Sequence, residues 1–328
     1  MSTPASPATT TSAASTPRKI AIVGAGSVGA TIAYASMIRR LSDHVALFDA
    51  NKAKVDAEVL DLNHGLQFAG HATIEGSDDV AVCKGAAVVV ITAGAKQKPG
   101  QTRMDLAAAN TAICKDLIPK LLNVAPDALL LLVTNPVDVI TYVTLKLSGL
   151  PRTRVIGSGT VLDSSRFRFL IAERLKVAVQ NVHAYVAGEH GDSEIPLWSS
   201  ASVAGIPLHE WAVMGHGKLS VRDRTEIVQN VKQAAYQVIQ GKGATNYAIG
   251  LATAEILRAL LNRENRILPV SQLVEDWRGI SDVCLSLPAI VNPGGVEPPL
   301  PIKLNEAEEA GLKNSAAVIS EAIRAVGF

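Results

Sequence analysis

Cysteine is scarce in this chain: Cys83, Cys114 and Cys284 stand far apart among 328 residues. An odd, scattered trio builds no disulfide framework and has neither metal-type nor redox-type spacing. It fits a reducing compartment and small core roles. An excess of charge of one sign is also missing. Lys and Arg total 31 against 30 Asp and Glu, a net of +1, so neither a nucleic-acid nor a membrane-surface partner is expected. The longest apolar runs, such as residues 128–133, are far too short to span a bilayer. No His, Cys or carboxylate cluster has metal-ligand spacing, so no metal is expected. Serine and cysteine nucleophile motifs are absent, and so are internal repeats.

What is present suits a large buried core, with 48% hydrophobic and 19% charged residues. The length suggests about two domains. Residues 1–17 stand apart: Ser, Thr, Ala and Pro, with no charge before Arg18. Such a stretch cannot bury enough apolar surface to offset its ordering entropy and is expected to be a disordered tail. It has neither the apolar middle of a secretory signal nor the arginines of a transit peptide, so a cytoplasmic protein is expected.

Residues 19–23, 44–48, 86–92 and 128–133 read as short strands, with helices at about 28–41 and 110–122 between them. Val88-Val89-Val90-Ile91 is apolar on both faces, as in a parallel sheet. The fold class is therefore α/β, a Rossmann-type doubly wound parallel sheet over residues 18–158, with an α+β substrate domain over 159–328. In that second half, helices are expected at 161–175, 220–240, 246–261 and 306–326. Strands are expected at 183–187, 282–291 and 299–302, the last two flanking the Asn292-Pro293-Gly294-Gly295 turn.

Gly24-x-Gly26-x-x-Gly29 lies between the first strand and its helix. Gly24 permits the tight turn, Gly26 lets backbone approach a pyrophosphate, and Gly29 lets helix and strand pack closely. Asp49 ends the next strand, 20 residues after Gly29, where a carboxylate can accept the ribose hydroxyls and would repel a 2′-phosphate. NAD is expected over NADP. Thr92-Ala93-Gly94-Ala95 is a second small-residue turn, equally an ordinary strand-to-loop connection taken alone.

The chemistry concentrates in three places. A polar loop, residues 95–103, carries Gln97 and ends in Arg103, which taken alone is an ordinary solvated arginine. Asp163-x-x-Arg166 shares one helix face beside Gly157-Ser158-Gly159-Thr160, and is either a functional pair or a surface ion pair. His190, in Gly188-Glu189-His190-Gly191-Asp192, is the side chain type that exchanges protons near neutral pH. Together they offer a carbonyl-polarising cation, a carboxylate-binding guanidinium, and an imidazole with an orienting carboxylate. That set suits hydride transfer to a 2-oxo acid.

These motifs resemble the lactate/malate dehydrogenase family over nearly the whole chain from Lys19 onward, and most of all its bacterial L-lactate dehydrogenases. The likeness also includes Gln97-Lys98-Pro99-Gly100-x-Thr102-Arg103, Thr134-Asn135-Pro136-Val137-Asp138, Leu162-Asp163-x-x-Arg166-Phe167-Arg168 and Lys242-Gly243-Ala244-Thr245. The resemblance implies an oxidoreductase of fermentative glycolysis that interconverts pyruvate and L-lactate. His190 would be proton donor and acceptor, Asp163 its partner, Arg166 the carboxylate grip and Arg103 the polarising group. Asn135 and Thr245 would contact substrate, and Val28, Asp49, Lys54, Gly94, Ala95, Thr134, Asn135 and Ser158 would contact NAD.

Gln97 decides the branch: family malate dehydrogenases carry Arg there, because oxaloacetate's second carboxylate needs a cation that pyruvate's methyl does not. Arg168 and His183 match effector positions for fructose 1,6-bisphosphate, which implies allosteric activation, a homotetramer, and one strand leading from His183 to His190. Their other reading is an interface arginine and histidine with ordinary hydrogen bonds. Asn246-Tyr247-Ala248 departs from the family's usual Tyr-Tyr-Gly. A malate dehydrogenase and a non-catalytic dinucleotide-binding protein are the competing functions.

Overall fold

The computed structural model describes residues 18–95, 103–212 and 217–328, with Arg103 described by its backbone only. The tail at 1–17 and Gln97 therefore lie outside the described residues.

Six parallel strands frame the first half: β1 (Ile20–Val23), β2 (His44–Phe48), β3 (Thr73–Ser77), β4 (Val88–Ile91), β5 (Leu129–Leu132) and β6 (Val155–Gly157). Between them run α1 (Ser27–Ile38), α2 (Lys52–Ala69), α3 (Arg103–Val124) and α4 (Val137–Ser148). Every residue of β1, β4 and β5 is buried, because helices cover both sheet faces. This is why these strands read as unbroken apolar runs instead of alternating ones. The order β6-β5-β4-β1-β2-β3 reverses direction between β1 and β4. A crevice opens at such a reversal, beyond the carboxyl ends of the strands.

Helix α3 begins at Arg103, seven residues before the helix read from the sequence at Asn110. Helix α2, with Asn51 capping it through the Lys54 N–H at 3.1 Å, was not read at all. Nor were β3, β6 and α4.

The second half contains α5 (Val161–Leu175), β7 (Val182–His183), β8 (Val186–Ala187), β9 (Ile195–Pro196), β10 (Ser202–Val203), β11 (Ile206–Pro207), α6 (Val221–Lys242), α7 (Tyr247–Leu261), β12 (Arg266–Val274), β13 (Val283–Asn292), β14 (Gly295–Pro299) and α8 (Glu306–Ala325). β12 pairs antiparallel with β6 through Ser271 and Gly157, so β12, β13 and β14 extend the parallel sheet to nine strands. The two halves share one sheet as well as a covalent link.

Two expected strands differ. The strand expected at 299–302 starts directly after the turn, as β14, because Gly295 already pairs with Asn292. The strand expected at 183–187 is broken. β7 pairs with β10, whereas β8 pairs with β9 in a separate sheet. At the break, the Ala184 carbonyl accepts from Arg168 Nε at 2.7 Å. Among the described residues, no helix is long and apolar enough to cross a membrane.

Candidate active site

The glycine turn is built around a reversed backbone. Gly24 has φ +103°, and its N–H donates to the Phe48 carbonyl at 2.7 Å. The Thr92 hydroxyl donates to the Gly24 carbonyl at 2.9 Å and ties the turn to β4. A Cβ on Gly29 would sit 1.9 Å from that same carbonyl, so Gly29 serves close packing. Gly26 differs: a Cβ there would meet only Lys54 Nζ, at 3.7 Å. Its backbone faces open space. Helix α1 follows Gly26 with no side-chain cap and no acid in its first turn, leaving its N–H groups and positive dipole end for an anion. Asp49 accepts from Ala25 N at 2.8 Å and Asn51 N at 3.0 Å, which fixes the carboxylate at the rim of the turn.

One cavity of about 930 Å³ runs from this turn to Asp163, Arg166 and His190. Gly24, Gly26, Val28, Asp49, Lys54, Gly94, Ala95, Thr134 and Asn135 line it, together with Asp163, Arg166, His190 and Thr245. Ser158, expected to touch the cofactor, is not in its wall, and neither is Gly29 of the glycine turn, which packs against the Gly24 carbonyl. Ser158 is buried, with its N–H donating to the Leu132 carbonyl at 2.7 Å. The Ala93–Ala95 turn is held by Asn110, whose side chain accepts from Ala95 N at 2.7 Å and donates to the Asn135 carbonyl at 2.6 Å. A Cβ on Gly94 would strike Thr134 Cγ2 at 2.5 Å. The glycine cradle, uncapped helix start and ribose-facing acid fit a dinucleotide with an unphosphorylated adenosine ribose.

At the other end, the first turn of α5 presents Asp163, which is 2% exposed. One carboxylate oxygen lies 2.6 Å from His190 Nδ1; the other accepts from an Arg166 terminal nitrogen at 2.7 Å. Burial alone would raise the Asp163 carboxyl. The charge of His190 and the guanidinium of Arg166 outweigh it and hold the carboxyl below the usual range. For His190, burial works against the imidazolium, but the charge and hydrogen bond of Asp163 lift it to about 9. The ring therefore carries its proton at neutral pH, with Nδ1 held by Asp163.

Sequence reasoning missed two acids here. Asp138, in the first turn of α4, is 2% exposed and accepts from His190 N at 2.7 Å and Ser286 Oγ at 3.1 Å. Burial pushes its carboxyl up to about 6. Its signal was an acid opening an otherwise apolar helix. Glu194, 3% exposed, also lines the cavity. Within the polar run Asp192-Ser193-Glu194 it gave no sign of burial. From the sequence, α6 was a plain amphipathic helix; it supplies Val231, Lys232, Ala235, Tyr236 and Ile239 to the cavity wall.

Residues 18–157 match the family model "lactate/malate dehydrogenase, NAD binding domain", and residues 160–327 match "lactate/malate dehydrogenase, alpha/beta C-terminal domain". The chain belongs to the lactate/malate dehydrogenase family. It is an NAD-dependent oxidoreductase of that family. It is 53% identical to an L-lactate dehydrogenase of Bifidobacterium animalis subsp. lactis, over 95% of this chain and 98% of the relative. An L-lactate dehydrogenase of Acetivibrio thermocellus is 47% identical, over 94% and 96% of the two chains. The crystal structure of a lactate dehydrogenase from a Medee basin deep-sea metagenome library superposes with TM-score 0.90 at 40% identity, covering 95% of this chain and 99% of that one. A minor L-lactate dehydrogenase from Enterococcus mundtii gives TM-score 0.90 at 38% identity, covering 94% and 98%.

Proposed function

We propose that the chain catalyses the reversible reduction of pyruvate to L-lactate in fermentative glycolysis. The observation that carries this is one carboxylate, Asp163, shared between His190 at 2.6 Å and Arg166 at 2.7 Å in the cavity that begins at Gly24. NADH, when bound, supplies the hydride that reduces the substrate's C2. Arg166 offers a planar fork of donors to the substrate carboxylate and fixes its orientation. His190 gives its proton from Nε2 to the carbonyl oxygen as that oxygen gains charge, and takes it back in the reverse direction. Asp163 keeps the ring in one tautomer and balances the imidazolium. Arg103 polarises the carbonyl, and Asn135 orients the substrate beside the cofactor.

Gln97 favours pyruvate's methyl over a second carboxylate, and Thr245 closes that end with a small neutral side chain. The named relatives, all L-lactate dehydrogenases, support the same choice. Following NADH absorbance with pyruvate and then with oxaloacetate tests it. Pyruvate is expected to turn over faster; a faster rate with oxaloacetate would reject the substrate assignment.

Our reading also includes a cytoplasmic homotetramer, a domain boundary at residues 158/159 and activation by fructose 1,6-bisphosphate. The effector reading rests on Arg168 and His183 matching the family's effector positions; Arg168 itself reaches from α5 to the Ala184 carbonyl and lies over the Tyr185 ring at 4.9 Å, the ordinary contacts of the alternative reading. His183, one residue before Ala184, is exposed beside it. The link from this corner to His190 then runs through α5, which carries Arg168, Arg166 and Asp163, and not along a single strand.

A further inference from the structure

Glu194 is the buried ionisable group in the cavity for which the reaction above has no use. Its Oε1 is buried and, among the described residues, has no hydrogen-bond partner. A carboxylate oxygen, a ring nitrogen and a carboxylate oxygen of Asp163, His190 and Glu194 all lie within 4.8 Å of one another. Two carboxylates this close in a buried site do not both ionise readily. Asp163 has the stronger claim to the charge, with one oxygen on Arg166 and the other on His190. Glu194 has neither. Lys232, across from it on α6, directs its ammonium to the Asp192 carbonyl at 2.6 Å.

We propose that Glu194 is a positioning residue that sets the charge of the substrate pocket: its side chain serves as a carboxylic acid, and only in that form does the site admit an anionic 2-oxo acid. This rests on the function proposed above and adds a specificity element to it. With Glu194 neutral, Arg166, Lys232 and protonated His190 outweigh Asp163, and the positive excess attracts a carboxylate. Ionising Glu194 removes one positive charge from that excess and sets a negative oxygen in the cavity wall.

The neighbouring charges agree. Burial and the Asp163 carboxylate push Glu194 up to about 8, against the opposing pull of His190, Lys232 and Arg166. Asp138 from α4 supports the imidazolium but reaches Glu194 only through His190. Glu189 and Asp192 lie in the same loop, with the Glu189 carboxylate accepting from Ser193 Oγ at 2.5 Å.

The test is the alkaline limb of kcat/KM for pyruvate reduction by the full-length enzyme between pH about 6 and about 10. Two protons, one on His190 and one on Glu194, must be present in the free enzyme. The limb should therefore steepen toward about a 100-fold loss per pH unit. In Glu194→Gln, a neutral side chain of the same size, it should fall about tenfold per pH unit. The steep loss should appear in KM and not in kcat, because bound substrate holds the Glu194 proton in place. Infrared difference spectra of the parent across the same range should lose a carboxylic acid C=O band that Glu194→Gln lacks.

A tenfold limb in the parent, a 100-fold limb surviving in Glu194→Gln, or no such infrared band would overturn the proposal. Absence of NADH oxidation with any 2-oxo acid would instead count against the function itself, and the infrared measurement would still judge Glu194.

Discussion

Asp163 meets three demands at one buried carboxylate: it holds Arg166, it orients His190, and it stays charged without water. A buried carboxylate survives only when such partners compensate its lost hydration. The imidazolium depends on it in turn. Because Asp163 is what raises His190 to about 9, Asp163→Asn should lower the ring's affinity for its proton. The sign follows: pyruvate reduction needs the imidazolium, so the alkaline limb of the variant should move to lower pH. At neutral pH kcat/KM should fall by about 10²–10⁴-fold. A pH–rate profile checks both, and an unmoved limb would remove Asp163 from this role. At this scale the sequence was legible where residue type and spacing implied a contact, as with Asp163-x-x-Arg166. Glu194 was illegible in role because its polar neighbours Asp192 and Ser193 announce no burial, and Asp138 because its apolar neighbours point to burial but not to His190.

The glycine turn and α1 act as a unit, and its glycines separate by task. Gly24→Ala would place a Cβ at φ +103° and 2.7 Å from Ala93 N. Such strain typically costs about 1–3 kcal/mol, so a lower melting temperature is expected. Gly26 has an ordinary φ of −73° and open space at its Cβ. Gly26→Val should therefore fold with little stability change while weakening NADH binding about tenfold or more, since it fills the cradle. Thermal unfolding and NADH fluorescence titration distinguish the two, and the reverse pattern would refute the division. Element boundaries were legible where burial is two-sided, as in β4 and β5, or where helical periodicity is long, as in α5. The strand expected at 183–187 was not. Its Ala184 carbonyl is taken by Arg168, a partner 16 residues away that no local pattern reveals.

Over the whole molecule, a single nine-stranded sheet carries both halves, with Ser271 of β12 against Gly157 of β6. The cavity inherits walls from both, so the Gly24 turn and His190 line one space. The effector proposal belongs to this scale. Fructose 1,6-bisphosphate should lower the pyruvate KM and favour the tetramer in sedimentation; Arg168→Gln should lose both responses. No change of KM or assembly in the parent would sink it. The sequence by itself determined the doubly wound class, the glycine turn and the Asp163 and Arg166 pair, because each rests on local periodicity or on fixed spacing along one element; the pairing of His190 with Asp163 was implied only by the family resemblance. Only the tertiary structure decided that Ser158 and Gly29 stand behind the cavity wall, that α6 helps close it, and that Glu194 enters it with an Oε1 that no described residue bonds. Those facts depend on which distant segments pack together, and burial and electrostatics act through space, not along the chain.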